Sequence, residues 1–120
     1  MPKQNVQNKT EAYKIEYKND LAIVYFYGDF LLTEANKYNG LFNSNSFKNV
    51  QTLILDFKNV IKYDSFIVTY IEIIKQEAKS RNITLDIREM SPGMLKLYKY
   101  LSHFKEIQTK REVQKVNHFV

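Results

Sequence analysis

The fold is decided by the stretch Leu53-Ile-Leu-Asp-Phe-Lys-Asn-Val-Ile-Lys-Tyr-Asp-Ser-Phe-Ile-Val-Thr-Tyr-Ile71. This stretch begins within an apolar run, Val50 to Leu55, that ends in Asp56. This run predicts a buried strand with Asp56 at the carboxyl-terminal edge of a sheet. A loop then leads to Asp64-Ser65, after which apolar residues recur with helical spacing. We therefore predict an exposed shoulder at Asp64 and Ser65, beside the most buried strand of the protein.

Two strands are predicted before this stretch. Residues 13–18 alternate apolar and charged side chains, the pattern of a half-buried strand. Residues 21–27 form a second strand that is rich in β-branched and aromatic residues. The turn signal Asn19-Asp20 joins them, so we predict a hairpin, and Gly28-Asp29 is predicted to end its second strand.

Three helices are predicted between and after the strands. The first begins at Thr33 with Glu34, and the second runs from about Ser65 to Ser80. The third covers about 92–102 and follows a cap at Ser91-Pro92, where Ser suits the cap and Pro the first helical position. The predicted apolar faces of the first two helices are Leu32, Ala35, Tyr38, Leu41 and Phe42, and Phe66, Ile67, Tyr70, Ile71, Ile74 and Ala78.

A fourth strand over residues 83–87 completes the order β-β-α-β-α-β-α. Strands that alternate with helices need crossover connections, so the later strands should run parallel with the helices packed on the sheet. The predicted class is therefore α/β, a small mixed four-stranded sheet with helices packed on it and a C-terminal helical tail.

The chain of 120 residues is predicted to have three parts. Residues 1–10 are a flexible lead-in, residues 11–103 a folded domain, and residues 104–120 a helical tail or linker. The tail is either a frayed helix that packs on the domain or a connecting helix that docks on a partner. Without a signal peptide or an apolar run that could cross a bilayer, we expect a soluble cytoplasmic protein.

The net charge of +5 does not indicate a nucleic-acid partner. Residues 11–103 carry twelve Lys and Arg against eleven Asp and Glu, so the excess lies at the two ends of the chain. A surface that follows phosphates needs basic residues concentrated on one face. We therefore expect no binding of nucleic acid.

The residues do not form the pattern of an enzyme or a metal site. Asp56 and Asp64 could act as acid and base, but no His, Lys or Ser is spaced around them to complete a constellation. Capping of the following helix is a simpler role for Asp64, worth about 1 kcal/mol. His103 and His118 lie far apart, Cys is absent and no glycine-rich phosphate motif occurs. We expect a non-enzymatic protein with no metal and no cofactor.

The order of strands and helices, together with three short sequence motifs, resembles the STAS family. Its members are domains of sulfate transporters and anti-sigma-factor antagonists. Leu55-Asp56-Phe57 is similar to the strand end of the family, and Asp64-Ser65 to its loop of Asp followed by Ser or Thr. Ser91-Pro92 is similar to the entry of its last helix. The likeness covers residues 13–103, and the unit 11–103 is accordingly identified as a STAS-like domain.

The resemblance implies a module that binds other proteins through the shoulder and the helix after it. On this chain the implied partner-binding residues are Asp64, Ser65, Phe66, Thr69, Glu72 and Gln76. In anti-sigma-factor antagonists, the Ser directly after the Asp-Ser or Asp-Thr pair is phosphorylated by a partner kinase. That position here is Phe66, which accepts no phosphate, and Ser65 is left as an imperfect phosphorylation site.

A second branch of the family does not need a phosphorylated residue after the Asp-Ser pair, and this chain, with Phe66 at that position, resembles it more. Resemblance to the STAS subunit or N-terminal STAS domain of lipid-asymmetry ABC transporters implies docking on the ATPase subunit, with the permease subunit as a further partner. We predict such a regulatory or assembly domain, in the cytoplasm or at the inner face of the membrane, with membrane contact only through a partner or a C-terminal extension. The alternative is an anti-sigma-factor antagonist that is regulated by serine phosphorylation and binds an anti-sigma factor. A small-ligand sensor is a third class, which no feature of the sequence favours.

Overall fold

The computed structural model describes residues 12–43 and 45–103. The predicted lead-in at 1–10 and tail at 104–120 lie outside the described residues, so both stay predictions. The described part contains four strands, a 3-10 helix and two α-helices, in the predicted order.

A mixed four-stranded sheet forms one layer of the fold. Its strands are β1 (Tyr13–Lys18), β2 (Leu21–Phe30), β3 (Thr52–Tyr63) and β4 (Thr84–Arg88), in the order β1-β2-β3-β4. β1 and β2 form the predicted antiparallel hairpin, and Asn19 in its turn takes a left-handed φ of 59°, which asparagine tolerates. β2, β3 and β4 run parallel, as the alternation of strands and helices predicts.

Two α-helices form the other layer. α1 (Phe66–Ser80) lies between β3 and β4 along the chain, and α2 follows over residues 92–103. The predicted cap of α2 is confirmed, because the Met94 amide donates to Ser91 Oγ at 3.2 Å. Both helices contribute buried side chains to a single core.

The first helix differs from the prediction in its type and its cap. Leu32–Tyr38 is a 3-10 helix, whose three-residue period matches the spacing of the predicted apolar face. Thr33 does not cap it, because the chain enters from Leu31 in an extended conformation without a side-chain hydrogen bond. Leu32, predicted on the buried face, is 66% exposed, whereas Tyr38 reaches the core.

β2 and β3 are longer than predicted. Bulges allow each strand to continue through residues that usually end a strand. β2 continues through Gly28-Asp29 to Phe30, and β3 passes Asp56 and ends at Tyr63. The register of the pair slips twice, each time with one extra residue in β3. The loop before α1 is consequently short, Asp64-Ser65, and lies at the tip of a two-stranded ribbon that extends beyond β1 and β4.

The core lies between the helices and one face of the sheet. Its strand residues are Ala22, Val24, Phe26, Phe30, Leu53, Leu55 and Phe57, and its helix residues include Ile67, Ile71, Ile74, Ala78 and Met94. The buried face predicted for α1 is confirmed, with Phe66 half-buried at its start. The other face of the sheet carries exposed charged side chains, among them Lys14, Glu16 and Asp86.

Replacing Gly28 by alanine is expected to lower the free energy of unfolding by about 1 kcal/mol. Gly28 has a φ of +73°, and an added Cβ meets nothing within 4 Å, so the left-handed backbone alone resists the change. Gly40→Ala is the control, because Gly40 has no left-handed φ and its added Cβ makes only an ordinary 3.9 Å contact with the Tyr13 hydroxyl. Urea unfolding measures both, and equal stability of the two variants would contradict the assignment.

Candidate partner-binding surface

The carboxylate of Asp64 joins two elements at the tip of the ribbon. Its Oδ1 accepts a hydrogen bond from the Phe66 amide at 2.9 Å, at the first turn of α1. Its Oδ2 accepts a hydrogen bond from the Leu32 amide at 3.2 Å, at the start of the 3-10 helix. The Asp64 amide in turn donates to the Phe30 carbonyl at the end of β2, at 3.4 Å. Asp64 therefore caps α1, as predicted, and also fixes α1 to the entry of the 3-10 helix.

Ser65 follows Asp64 with its side chain exposed to solvent. Its backbone is already helical, with φ −63° and ψ −13°, and its hydroxyl makes no cap hydrogen bond. Asp64 provides the acceptor at this helix start, which leaves the Ser65 hydroxyl available to another molecule.

The polar residues predicted to bind a partner form a line along α1. Ser65, Thr69, Glu72 and Gln76 are separated by four, three and four residues, which places them on one face of the helix. Glu72 is half-buried and the other three are exposed. We call this set the polar face of α1. The structure brings these residues together, and their role in binding stays a prediction.

Lys75, beside the polar face, contacts side chains of both α1 and α2. Lys75 Nζ lies 3.3 Å from Glu72 Oε2 and 3.4 Å from the Tyr98 hydroxyl on α2. Partial burial lowers the pKa of Lys75, but its hydrogen bonds to Tyr98 and Glu72 outweigh that effect, and the pKa is raised. Lys75 therefore stays charged and ties α1 to α2.

Phe66, also predicted to bind a partner, turns away from the polar face into an aromatic cluster. Its ring lies 5.6 Å from the ring of Phe30 and 5.6 Å from that of Tyr70, between ring centroids. Such separations are typical of packed aromatic pairs. Phe66 therefore belongs to the packing that supports α1, and only part of its ring reaches the surface.

An apolar groove runs between α1 and the 3-10 helix, and the sequence patterns do not predict it. It has a volume of about 280 Å³. We call it the α1 groove; its main lining residues are Tyr38, Phe42, Phe66, Tyr70, Ile73 and Ile74. Ile73 forms its outer edge and is 57% exposed. One sequence signal could have revealed this residue, because Ile73 lies four positions after Thr69 and hence beside the polar face.

The tyrosine hydroxyls at the floor of the groove already have partners. The Tyr70 hydroxyl donates to the Tyr38 carbonyl at 3.2 Å, and the Tyr38 hydroxyl donates to the Asp29 carbonyl at 3.3 Å. Burial raises the pKa of Tyr38 to about 12, with smaller contributions from the charges of Glu34 and Asp29. Burial also raises the pKa of Tyr70. Both phenols stay neutral at physiological pH and present an apolar surface.

Asp56 lies away from this surface, and its predicted position at a strand end is wrong. It sits within β3, on the sheet face opposite the helices, and is only 5% exposed. Its Oδ2 accepts a hydrogen bond from Arg88 Nε at 3.0 Å and its Oδ1 one from the Lys58 amide at 2.9 Å, beside the first bulge. The hydrogen bond to Asp56 raises the pKa of Arg88. At about 3.3 Å per residue, the strand between Asp56 and Asp64 spans roughly 26 Å, too far for an acid–base pair.

Other kinds of site find little support in residues 12–43 and 45–103. No three His, Cys, Asp or Glu side chains there are grouped as the ligands of a metal ion would be. His103 is exposed, and His118 lies outside the described residues. None of the helices in this part of the chain is long and apolar enough to cross a membrane.

Removing the Asp64 carboxylate should destabilise the domain without touching its core. We expect Asp64→Ala to lower the free energy of unfolding by about 1–3 kcal/mol, because two amides lose their acceptor. Asp64→Asn keeps one acceptor oxygen and should lose less. Ser65→Ala is the matched control with almost no change, since the Ser65 hydroxyl makes no cap bond. Chemical denaturation that finds Asp64→Ala as stable as Ser65→Ala would contradict the role of Asp64.

Comparison with known proteins identifies the family and supports the fold. The family model of the STAS domain matches residues 12–116. No curated protein matches the chain. Among solved structures, the anti-sigma factor antagonist SpoIIAA in its unphosphorylated form is similar, with a TM-score of 0.56 and 17% identity over 74% of this chain and 83% of that chain.

A crystal structure of Mglu is also similar, with a TM-score of 0.56 and 13% identity over 68% of this chain. This chain spans only 20% of that Mglu chain, so the likeness concerns a part of Mglu. At these identities, the structural likenesses show a shared fold. The family model covers most of the sequence and confirms the resemblance carried by the three motifs, and the chain therefore belongs to the STAS domain family, whose members are regulatory modules that interact with protein partners.

Proposed function

We propose that this STAS domain is a non-enzymatic module that docks on another protein through Asp64 and the polar face of α1. The observation that carries the proposal is the exposed Ser65 hydroxyl, which makes no cap bond and begins a line of polar side chains on a fixed helix. The Ser65 hydroxyl can form a hydrogen bond with a partner without first giving up a cap bond.

The rigid attachment of α1 to the rest of the domain favours docking as well. Asp64 holds the start of α1 through two amides, and the buried side chains of Ile67, Ile71 and Ile74 fix the helix to the sheet. A surface that is already rigid loses little conformational entropy when a partner binds. The polar face is therefore suited to recognition by shape and hydrogen bonding.

The chemistry at Ser65 supports a non-enzymatic role. A nucleophilic serine needs a base within hydrogen-bond reach of its hydroxyl. Among the hydrogen bonds of the described residues, none joins the Ser65 side chain to a His, Lys or carboxylate. The Asp64 carboxylate beside it is engaged by backbone amides instead.

For the partner, we favour the ATPase subunit of a lipid ABC transporter. The position where anti-sigma-factor antagonists carry their phosphoacceptor is Phe66, whose ring is packed against Phe30 and Tyr70. A docking surface without this switch suits a permanent subunit of an assembly. In this role the domain would sit at the inner face of the membrane, where the permease or a C-terminal extension provides the membrane contact.

Ser65→Glu tests the docking role and should weaken binding of the purified ATP-binding-cassette subunit by at least about tenfold, because it places a bulky charge within the contact. The same change should not unfold the domain, since an acidic residue at a helix start interacts favourably with the helix dipole. Ser80→Glu, an exposed serine at the other end of α1, is the control and should bind normally. Titration calorimetry measures both. Failure of the wild-type domain to bind the subunit would reject this partner.

The alternative is an anti-sigma-factor antagonist controlled by phosphorylation of Ser65. It is favoured by the exposure of Ser65 and by the fold shared with SpoIIAA over most of that chain. A phosphate there would add negative charge to the polar face and repel an acidic partner surface.

Incubation with the cognate kinase and ATP, followed by mass spectrometry, tests this alternative. Phosphorylation should give one phosphate on Ser65 in the wild type and none in Ser65→Ala. An unmodified wild-type chain, or a phosphate that persists in Ser65→Ala, would reject the switch at this residue.

A further inference from the structure

We propose that the α1 groove receives apolar side chains from an amphipathic helix of the docking partner. This inference rests on the proposed function, because the groove adjoins the polar face of α1. Ile73 separates the two surfaces, four positions after Thr69 and three before Gln76. A single partner could thus contact the polar face and the groove together.

The groove has the shape and lining of a receptor for side chains. Tyr38, Tyr70 and Ile74 form its buried floor, whereas Phe42 is half-buried and Ile73 exposed. At about 1.5 Å per residue, the stretch of α1 between Phe66 and Glu77 is roughly 17 Å long, the length of about three helical turns. Apolar anchors at i, i+3 or i+4, and i+7 of a bound helix would follow such a groove.

The charges around the groove favour an uncharged occupant. Glu77 is the only charged residue among its described lining, and Arg81 Nε lies 3.0 Å from Glu77 Oε2. On the 3-10 helix, Glu34 is likewise paired with Lys37. A charged ligand would find no unpaired counter-charge along the lining, whereas an apolar side chain would displace water without separating these ion pairs.

The backbone of the occupant must satisfy its own hydrogen bonds. The wall formed by α1 presents side chains, because its backbone groups are used within the helix. The two tyrosine hydroxyls at the floor are already bonded to carbonyls. An extended strand would therefore leave its amides and carbonyls unpaired in the groove, whereas a helix pairs them internally. These constraints select a helix with an apolar face.

Photo-crosslinking identifies the occupant directly. Benzoylphenylalanine is placed at position 73 of the full chain, in the cells that naturally make the protein, and mass spectrometry locates the attached peptide. We expect attachment to apolar side chains on one face of a partner helix. Attachment to lipid, or to charged loops, would overturn the inference. Position 69 on the polar face is labelled in parallel.

The parallel label separates this inference from the proposed function. A partner attached at 69 but not at 73 would overturn the groove and leave the docking surface intact. A partner attached at 73 but not at 69 would support the groove and reject the polar face, and no attachment at either would reject both.

A matched pair of variants completes the test. Ile73→Glu should reduce partner binding at least about tenfold, because it puts a charge where an apolar anchor packs. Ile61→Glu is the control, since Ile61 is 76% exposed, lies on β3 and does not line the groove. Both side chains are largely exposed, so thermal unfolding should show folded domains. Equal binding by the two variants would overturn the inference.

Discussion

The Asp64 carboxylate is the contact that joins the start of α1 to the start of the 3-10 helix. Asp64 accepts one amide hydrogen bond from each of these elements, so a single side chain bridges the two walls of the α1 groove, which the Tyr70 hydroxyl also joins through the Tyr38 carbonyl. Because the Asp64 carboxylate makes the cap, the Ser65 side chain does not have to. The exposed serine at the head of the polar face is therefore a consequence of where the aspartate sits, and not an independent feature.

The length of β2 and β3 decides where that carboxylate lies. The two bulges lengthen β3 relative to β2 and carry Asp64 beyond the last residues that pair with β4. Aromatic rings fill the space that this ribbon opens against α1: Phe30 lies 4.5 Å from Tyr38 and 5.5 Å from Tyr70, between ring centroids. Asp56, beside the first bulge, is held by Arg88 and the Lys58 amide on the opposite face of the sheet. The two bulges, the aromatic packing and the Asp64 cap together hold α1 in position on the sheet.

Hydrophobic period predicted the order of strands and helices along the chain, and the residues typical of turns and caps predicted the hairpin and the start of α2, because these features depend on local sequence. Strand prediction failed at Gly28-Asp29 and Asp56, where polar residues that usually end strands are accommodated by bulges and a cross-strand ion pair. The bulges and the ion pair join residues that are distant along the chain, and a single sequence does not show which distant residues meet. The residues of the polar face of α1 followed from the resemblance to the STAS family, and their helical spacing places them on one face. The α1 groove was not predicted, because one of its walls comes from the 3-10 helix, whose packing on α1 is a tertiary contact.

In the proposed complex, the polar face and the α1 groove contribute to recognition in different ways, according to their chemistry. Polar groups such as Ser65 and Thr69 cost free energy to desolvate and contribute mainly to specificity, because a wrong partner leaves them unpaired. An apolar groove contributes affinity through burial but distinguishes poorly between similar side chains. Ile73 places the groove next to the polar face, so a partner that fills the groove must also satisfy the polar line. Phe66 strengthens this arrangement, because its ring lines the groove and packs against Tyr70.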